Sequence, residues 1–473
     1  MKIKFFIINS IISLIIISTI VFPLNVVTNA ATINSTSDNI TKYYISSDGD
    51  NNNNGGYFSP LKDLYGFKQK LINDINNNTV KENVNVIIRD GSYYFDNNLS
   101  FSKSNLKGKK ININFTGSKN VTFTGGINLD NTNYTTQSYN NRNYIVYDLS
   151  QYYIGFNYDN YSIYNGLQVS INNNSLNIAR YPNEGYTTTQ QLKNSTLADE
   201  YLIPGSCNLD LDSNDSNIYV SGYFINDYKF STYKANYKDN NIYINDKTVS
   251  TTSTNIKYYI LNSLKLLDID SEYYIDYTNN LLYLLDTPNI RSSNITLSLL
   301  DDSLITLNGL NNISFDNISF TNCRNSAITL NSCSNVKFNN CTFNNISKDG
   351  INLNNTSDSI IRLCKFTNCG GCAIKSNSSN KSNNKIELNT IDNCCKLNKT
   401  ESYPIMIIDN GVTIRNNKFN NISHAAILLY GKNNLSENNI YTNINSDPGK
   451  NNIIILGNIY NQNNNTGKNN LLK

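Results

Sequence analysis

One short phrase returns along the C-terminal part of this chain and leaves it few ways to fold. It reads Ile318-Ser-Phe320-Thr-Asn322-Cys323, then Cys341-Thr-Phe343-Asn-Asn345-Ile346, then Cys364-Lys-Phe366-Thr-Asn368-Cys369. It continues as Asn389-Thr-Ile391-Asp-Asn393-Cys394, Asn417-Lys-Phe419-Asn-Asn421-Ile422 and Asn439-Ile-Tyr441-Thr-Asn443-Ile444. Self-similarity at a period of roughly 22 to 28 residues marks a stacked solenoid. Within each phrase alternate residues are apolar or small, which is the periodicity of a strand. Two further short strands fill each turn, for example Ala327 to Leu330 and Val336 to Phe338, then Ile351 to Leu353 and Ile360 to Leu363. Such spacing has no room for helices, so the expected fold is all-β, a right-handed parallel β-helix in which each strand pairs with its equivalent one coil away.

Stacking then puts Phe320, Phe343, Phe366, Ile391, Phe419 and Tyr441 in one interior column, and Cys323, Ile346, Cys369, Cys394, Ile422 and Ile444 in another. Asn322, Asn345, Asn368, Asn393, Asn421 and Asn443 form a third column, expected at a corner. Asn tolerates left-handed backbone geometry and stacked amides bond one another, so this repetition reads as structural and not as a binding site.

An open solenoid end exposes strand edges and needs a cap. Ser59-Pro60 reads as a helix N-cap and first turn, and Leu61, Leu64, Phe67, Leu71, Ile72 and Ile75 give a helical apolar stripe. The first coils would be Val84 to Ile88, Tyr93 to Leu99, Ile111 to Phe115 and Val121 to Phe123. From about Tyr144 to Leu300 the phrase disappears. Segments such as Leu167 to Ile171, Ile218 to Val220, Ile256 to Ile260 and Leu281 to Leu285 are separated there by turn clusters, Asn172-Asn-Asn174 and Thr278-Asn-Asn280. These predict antiparallel hairpins and an inserted β-sandwich.

The N-terminus begins Met1-Lys-Ile-Lys4 and runs apolar from Phe5 to about Val27, with small residues at Thr28, Ala30 and Ala31. A basic start, an apolar stretch and small residues read as a signal peptide over 1–31. The expected organisation is then 40–135 for the cap helix and first coils, 140–300 for the inserted domain, 301–460 for the main β-helix and 461–473 as a polar tail. Among 473 residues the formal charge is +3, and Lys2 and Lys4 would leave with the signal. Nothing electrostatic points to nucleic acid or, after signal cleavage, to a membrane. A secreted, extracellular or cell-surface monomer is expected.

Nine cysteines in an exported chain would ordinarily suggest disulfides, but eight fall between Cys323 and Cys395 and follow the repeat. They read as stacked buried thiols. Cys369-x-x-Cys372 has no second pair and no nearby His, so no metal is expected there. The loop carrying Asp48 and Asp50 is Asn-rich, lacks a bidentate Glu and reads as a plain turn, not a Ca²⁺ site. No cofactor is implied.

Tyr44-Ile-Ser-Ser-Asp48-Gly-Asp50 to Gly55-Gly56, with Val86-Ile-Ile-Arg89-Asp90-Gly91-Ser-Tyr93-Tyr94, resembles the opening of pectate-lyase-like (pectin-lyase-like) β-helix proteins. Leu167-Gln-Val-Ser-Ile171 with Ala179-Arg180-Tyr181-Pro182-Asn183 is similar to the inserted domain of β-helix glycoside hydrolases of the family 141 and family 120 type. So is the stretch Tyr259-Ile-Leu-Asn262 through Leu267-Asp268 to Glu272-Tyr273-Tyr274-Ile-Asp276, closing in Leu281-Leu-Tyr283. The resemblance implies an exported carbohydrate-active protein that attacks plant-wall or related glycans with a pair of acids. Ser446-Asp447-Pro448-Gly449 matches the segment that carries a candidate acid in such proteins. Its usual apolar continuation is replaced by Lys450-Asn451-Asn452, and the reading expects a chain truncated before further coils.

Glycoside hydrolysis needs two carboxyl groups about 5 to 9.5 Å apart, and carboxylates on neighbouring coils lie about 4.8 Å apart. The resemblance makes Asp447 the first catalytic candidate, with Glu437 on an adjacent segment and Asp409 one coil earlier. His424, the one histidine, is a candidate sugar contact or a satisfied corner residue. Arg180 is expected to hold a loop or the domain junction. A polysaccharide lyase would need a Lys or Arg base, for which Lys348, Lys375 and Arg415 are available. The Gly-His-Gly phrase of polygalacturonases is absent, and Asp301-Asp302 does not replace it. A glycan-binding or cell-surface β-helix that kept the scaffold without the chemistry is the non-enzyme alternative, since function resides in the site and not the fold.

Overall fold

Alternation of apolar and polar residues builds three long parallel sheets, one for each side of a coil. The computed structural model describes residues 39–152, 167–194, 200–203, 211, 218–225, 229–238, 241–246, 254–397, 399, 401–423, 425–444, 454–456 and 465–472. The signal-peptide stretch, 1–31, lies outside these residues. Face A has ten strands, from Ile40–Ile45 through Ile313–Asp316 and Lys385–Glu387 to Thr466–Lys468. Face B has eight, from Leu99–Ser102 through Ile328–Asn331 and Ile351–Asn354 to Ile454–Leu456. Face C has nine, from Gly91–Tyr94 through the repeated phrase to Leu471–Leu472. Each coil runs B, A, C and returns to B, in a right-handed parallel β-helix.

The register is the one the phrase predicts. Phe320 pairs with Phe343 and Phe343 with Phe366 on successive coils, and all three are fully buried. Their rings stack at 5.0 and 4.7 Å, and the Phe419 and Tyr441 rings repeat this at 5.0 Å. Cys323, Ile346 and Cys369 also point inward. Eight cysteines, all those among the described residues, are buried and free.

The asparagine column forms, but inside the strand and not at a corner. Asn322, Asn345 and Asn368 have φ of 54°, 55° and 56°, and Asn393, Asn421 and Asn443 have 51°, 53° and 52°. Cross-strand pairing passes over them, with Thr321 opposite Asn344 and Cys323 opposite Ile346. Each is a left-handed kink at the same position in its coil, so asparagine faces asparagine and the register stays in step across it. Asn393 Nδ2 donates to Asn368 Oδ1 at 2.6 Å, and Asn368 Nδ2 to Asn345 Oδ1 at 3.2 Å. A second ladder, which the repeat analysis missed, lies inside the corner from A to C. There the backbone N–H of Asn389, Asn417 and Asn439 donates to the side-chain oxygen of Asn417, Asn439 and Asn470 in turn, at 2.9, 2.9 and 3.1 Å. Asn470 and the strands Thr466–Lys468 and Leu471–Leu472 thus continue the coil within the stretch read as a polar tail.

Helix α1 spans Leu64–Asn76 and starts later than Ser59-Pro60 suggested. Asp63 is its N-cap, accepting from the Gly66 N–H at 2.9 Å. Leu61 is tied into the sheet edge instead, its N–H donating to Tyr44 O and its O accepting from the Ser46 N–H, both at 2.9 Å. That splice holds 59–61 extended, so the helix cannot begin there. Phe67 packs edge-on against Tyr43 and Phe115 and closes the N-terminal end of the coil.

Between Val121–Thr124 and Ile305–Asn308 the chain leaves the helix and builds sheets of four, five and eight strands around two apolar clusters, antiparallel except where Asn177–Ile178 pairs with Glu272–Asp276. The turn clusters do what their composition predicts: Asn172, Asn173 and Asn280 all have positive φ. This inserted domain lies against face C, where the Nδ2 groups of Asn344 and Asn345 both donate to Asn173 O at 3.0 Å.

Candidate functional site

The corners from face C to face B gather the chemistry. In three successive coils they are four residues long, 324–327, 347–350 and 370–373. The pairing of Ile305 with Ile328, Ile351 and Ile374 puts Ser303, Ser326, Asp349 and Cys372 in one row. Asp302, Asn325, Lys348 and Gly371 make the row beside it. Asp349 is half-buried and its Oδ1 accepts from the Cys372 N–H at 2.8 Å. Burial raises its pKa above the ordinary carboxylate value, against the opposing pull of that N–H, Lys375 and Lys348. Asp302 is exposed, with Oδ1 accepting from the Ser303 N–H at 2.6 Å. Two coils separate these acids, which at one strand spacing per coil is about 10 Å. That is slightly beyond the separation an inverting glycosidase uses, about 6.5 to 9.5 Å. Lys375 projects from the following face B strand beside Asn352, whose Oδ1 has no hydrogen-bond partner among the described residues.

A cavity of about 280 Å³ lies under the inserted domain, reaching only the last of these corners, at Gly370. Gly370, Lys396, Leu397 and Lys399 line it from the coil side, and Gln168, Asn177, Arg180, Tyr259 and Tyr273 from the inserted domain. Arg180 lies over the Tyr259 ring, 3.7 Å from its centroid, and its Nε donates to Pro182 O at 2.8 Å. It therefore holds the 180–185 loop, as expected, and lines the cavity as well. Lys399 Nζ donates to Tyr186 OH at 2.7 Å across the junction. Burial, with the Lys399 charge adding to it, lowers the pKa of Lys396. Glu272 lies in the strand that carries Tyr273, pairs with Asn177 and is 1% exposed. Burial, then Asp268, pushes its carboxyl up to about 8, against the Arg180 and Asp268 backbone N–H groups and the Arg180 guanidinium. Glu272 is therefore protonated at neutral pH.

Of the acids chosen from the sequence, Asp409 and Glu437 are not brought together. Asp409 is fully buried inside the coil: its Oδ2 accepts from Ser376 Oγ at 2.6 Å and its backbone O from Asn434 Nδ2 at 2.9 Å. Its strand ends at Ile407, so the chain turns before Asp409 and drops the side chain inward. No saccharide on the surface can reach it, which removes it as a catalytic candidate. Glu437 projects from face A in a column of alternating charge, where Glu387, Arg415, Glu437 and Lys468 face one another on successive coils. Arg415 Nε and Glu387 Oε2 are 2.7 Å apart in it. That column accounts for Glu437 and Arg415 structurally. Asp447 and His424 lie outside the described residues.

Asp349, Glu272 and Lys396 escaped the sequence reading. The one local signal was Asp349-Gly350 immediately before a face B strand. The Asp48 and Asp50 loop is closed on itself, Asp50 Oδ1 accepting from the Asn52 N–H at 2.9 Å. No group of three or more His, Cys, Asp or Glu that could hold a metal occurs among the described residues.

A family model described as "Right handed beta helix region" matches residues 275–410. A solved structure titled "Glycoside hydrolase" aligns over 91% of this chain and 96% of its own at 12% identity, with a TM-score of 0.67. A complex of XylC with xylose aligns over 85% and 62% at 11% identity, TM-score 0.46. A family 136 lacto-N-biosidase from Eubacterium ramulus aligns over 91% and 67% at 11% identity, TM-score 0.31. No curated protein sequence matches the chain. At 12% identity the likeness is one of fold, and it extends over nearly the whole of both chains: this protein has the architecture of a right-handed β-helix.

Proposed function

We propose that this is an exported, carbohydrate-active β-helix protein of glycoside-hydrolase type, which takes plant-wall or related glycan along the corners between faces C and B. The observation that carries the reading is Asp349. It is a half-buried carboxyl with a raised pKa, with an exposed carboxylate two coils away in the neighbouring row. A carboxyl that keeps its proton more tightly than usual is suited to donate it to a leaving oxygen, and Asp302 is the carboxylate we assign to activating a water. The signal-like stretch 1–31 supports export.

A polysaccharide lyase is the second reading, favoured by Lys348 and Lys375, both close enough to Asp349 to pull its pKa down. A non-catalytic glycan binder is the third. The deciding experiment assays the purified protein, Asp349→Asn and Asp302→Asn on xylan-derived, fucosylated and pectic oligosaccharides, following reducing ends and the unsaturated product of elimination. Hydrolysis that falls by about 10²-fold or more in Asp349→Asn supports the site. Turnover that survives both substitutions sinks it, elimination without hydrolysis selects the lyase, and binding without turnover selects the binder.

A further inference from the structure

Face A, on the opposite side of the coil from the corner acids, carries a groove of about 380 Å³ walled by amides. Asn83, Asn112, Asn312 and Asn335 stand in one column on successive coils, and Asn114, Ser314 and Lys337 in a second, two residues further along the strands. Lys337 alone among the described residues that line it is charged. Asn112 Nδ2 donates to Asn83 Oδ1 at 2.8 Å, Asn335 Nδ2 to Asn312 Oδ1 at 2.6 Å and Ser314 Oγ to Asn114 Oδ1 at 2.7 Å. An amide has two N–H donors and two oxygen lone pairs, so each of these bonds leaves donors and acceptors to spare. Left-handed backbone explains Asn312 and Asn335, with φ of 60° and 51°, but Asn83, Asn112 and Asn114 lie in extended strands, where asparagine is disfavoured.

An aromatic tip stands at the N-terminal edge of the same face. A turn from Gly56 to Ser59, closed by the Ser59 N–H on Gly56 O at 3.2 Å, puts Tyr57 and Phe58 at its apex. Phe58 is 96% exposed and Tyr57 58%, yet the pair is fixed in place. The Tyr57 ring stands edge-on to Tyr44 at 5.3 Å and to Phe58 at 5.0 Å, Arg89 lies over it 4.9 Å from its centroid, and Arg89 Nη2 donates to Tyr57 O. Tyr44 faces outward from A, since Tyr43 and Ile45 on either side of it are buried, and Lys42, two residues before it, heads the second amide column through Asn85. An apolar ring held in water adds little to stability; clustered with two others it marks a binding surface.

Amides to bond hydroxyls, aromatic rings to cover the C–H faces of a pyranose, and a lining with one charge together match a neutral sugar chain. We propose that face A is a second, non-catalytic binding surface for an extended neutral glycan lying along the coil axis, its hydroxyls on the asparagine columns and one ring against Tyr57 and Phe58. Successive coils are about 4.8 Å apart, close to the length of one sugar ring in an extended chain, so the four coils of the groove span about 14 Å and hold roughly four units. The proposal rests on the glycan reading above and adds a site to it, one that anchors a long polymer while other segments of it reach the corner acids.

The test is calorimetric titration of the whole protein with xylo-, manno- and cello-oligosaccharides of increasing length, and with tetragalacturonate as a charged control. Phe58→Ala, the double variant Tyr57→Ala with Phe58→Ala, and Asn114→Ala are run in parallel, with thermal melting to show that they fold; Phe58 is so exposed that its truncation leaves no cavity. The expected result is binding of at least one neutral series, with affinity rising up to about four or five units and level beyond. The aromatic double substitution should weaken it about tenfold, and Asn114→Ala about fivefold. Binding unchanged in all three variants overturns the inference and leaves the glycan reading standing, since the sugar is then held elsewhere. Tetragalacturonate bound more tightly than every neutral chain overturns the neutral class and with it the inference. Failure of every saccharide to bind overturns both.

Discussion

The rings of Phe343 and Phe366 stand one above the other on successive coils, 4.7 Å apart and 5° from parallel. The separation is the strand spacing itself, so each ring fills its own layer and neither can move into the space of the other. Truncating Phe343 to Ala therefore leaves a void walled by Phe320 and Phe366. Loss of about 3 to 5 kcal/mol is expected from equilibrium denaturation in urea. The double variant Phe343→Ala with Phe366→Ala should depart from the sum of the two singles, because the rings share one cavity.

Asn417 tests the ladder inside the corner. It is fully buried. Its Nδ2 donates to Ile386 O and to Asn439 Oδ1, and its Oδ1 accepts from the Asn389 N–H and Nδ2, all within 3.0 Å. Asn417→Leu leaves those backbone groups unpaired in an apolar interior, and unpaired buried groups cost about 1 to 3 kcal/mol each. Asn421→Ala, on the outer asparagine column, loses mainly its tolerance of positive φ, about 1 kcal/mol. Denaturation midpoints should place Asn417→Leu well below Asn421→Ala; the reverse order would mean that the outer column, not the inner ladder, holds the corner.

Coil register was legible in the sequence because each layer is local: alternation, an aromatic and an asparagine fall within one six-residue phrase. The inner ladder was missed because Asn389, Asn417 and Asn439 were read as the first letter of that phrase, equivalent to Cys341 and Cys364, and not as a polar column of their own. Asp409 was misjudged for a related reason, since alternation gives its direction only while the strand lasts, and the strand ends two residues earlier. The cavity was invisible, because Arg180 and Lys396 come from distant parts of the chain and meet only when the inserted domain lies on face C. Glu272 was visible as a letter, but its protonation is set by burial, which no local pattern reports.

Two corners break the asparagine rule and should be improvable. From the Ile313–Asp316 strand onward the residue that turns the chain from A to C has positive φ: 57° at Asn317, 53° at Asn340, 57° at Asn416 and 54° at Asn438. Leucine occupies it at Leu363 and Leu388, at 54° and 61°, with 47% and 45% of each residue exposed. A leucine in this conformation bears a steric cost that asparagine largely escapes, and its exposed side chain gains little from packing. Asn340 Nδ2 already donates to Asn317 Oδ1 at 3.1 Å, so Leu363→Asn would extend an existing stack. Leu363→Asn and Leu388→Asn should each raise stability by about 1 kcal/mol, read as a higher urea midpoint. A lower midpoint in both would show that the leucines pack more than their exposure implies.

Glu272 should make stability depend on pH. Its folded pKa, about 8, lies above the ordinary value of 4.5 because burial disfavours the charged form. The sign follows from proton linkage: the folded state holds this proton more tightly than the unfolded chain, so protonation favours folding. The contribution is complete below pH 4.5 and is lost as pH rises through the folded value near 8. Glu272→Gln has no proton to lose and keeps the shape of the side chain, so its stability should not show that decline. Thermal melts of both proteins across pH 5 to 9 should therefore run together at the acid end and separate at the alkaline end, with the Gln variant the more stable there by several degrees. Parallel curves for the two proteins would show that folding does not shift the Glu272 pKa.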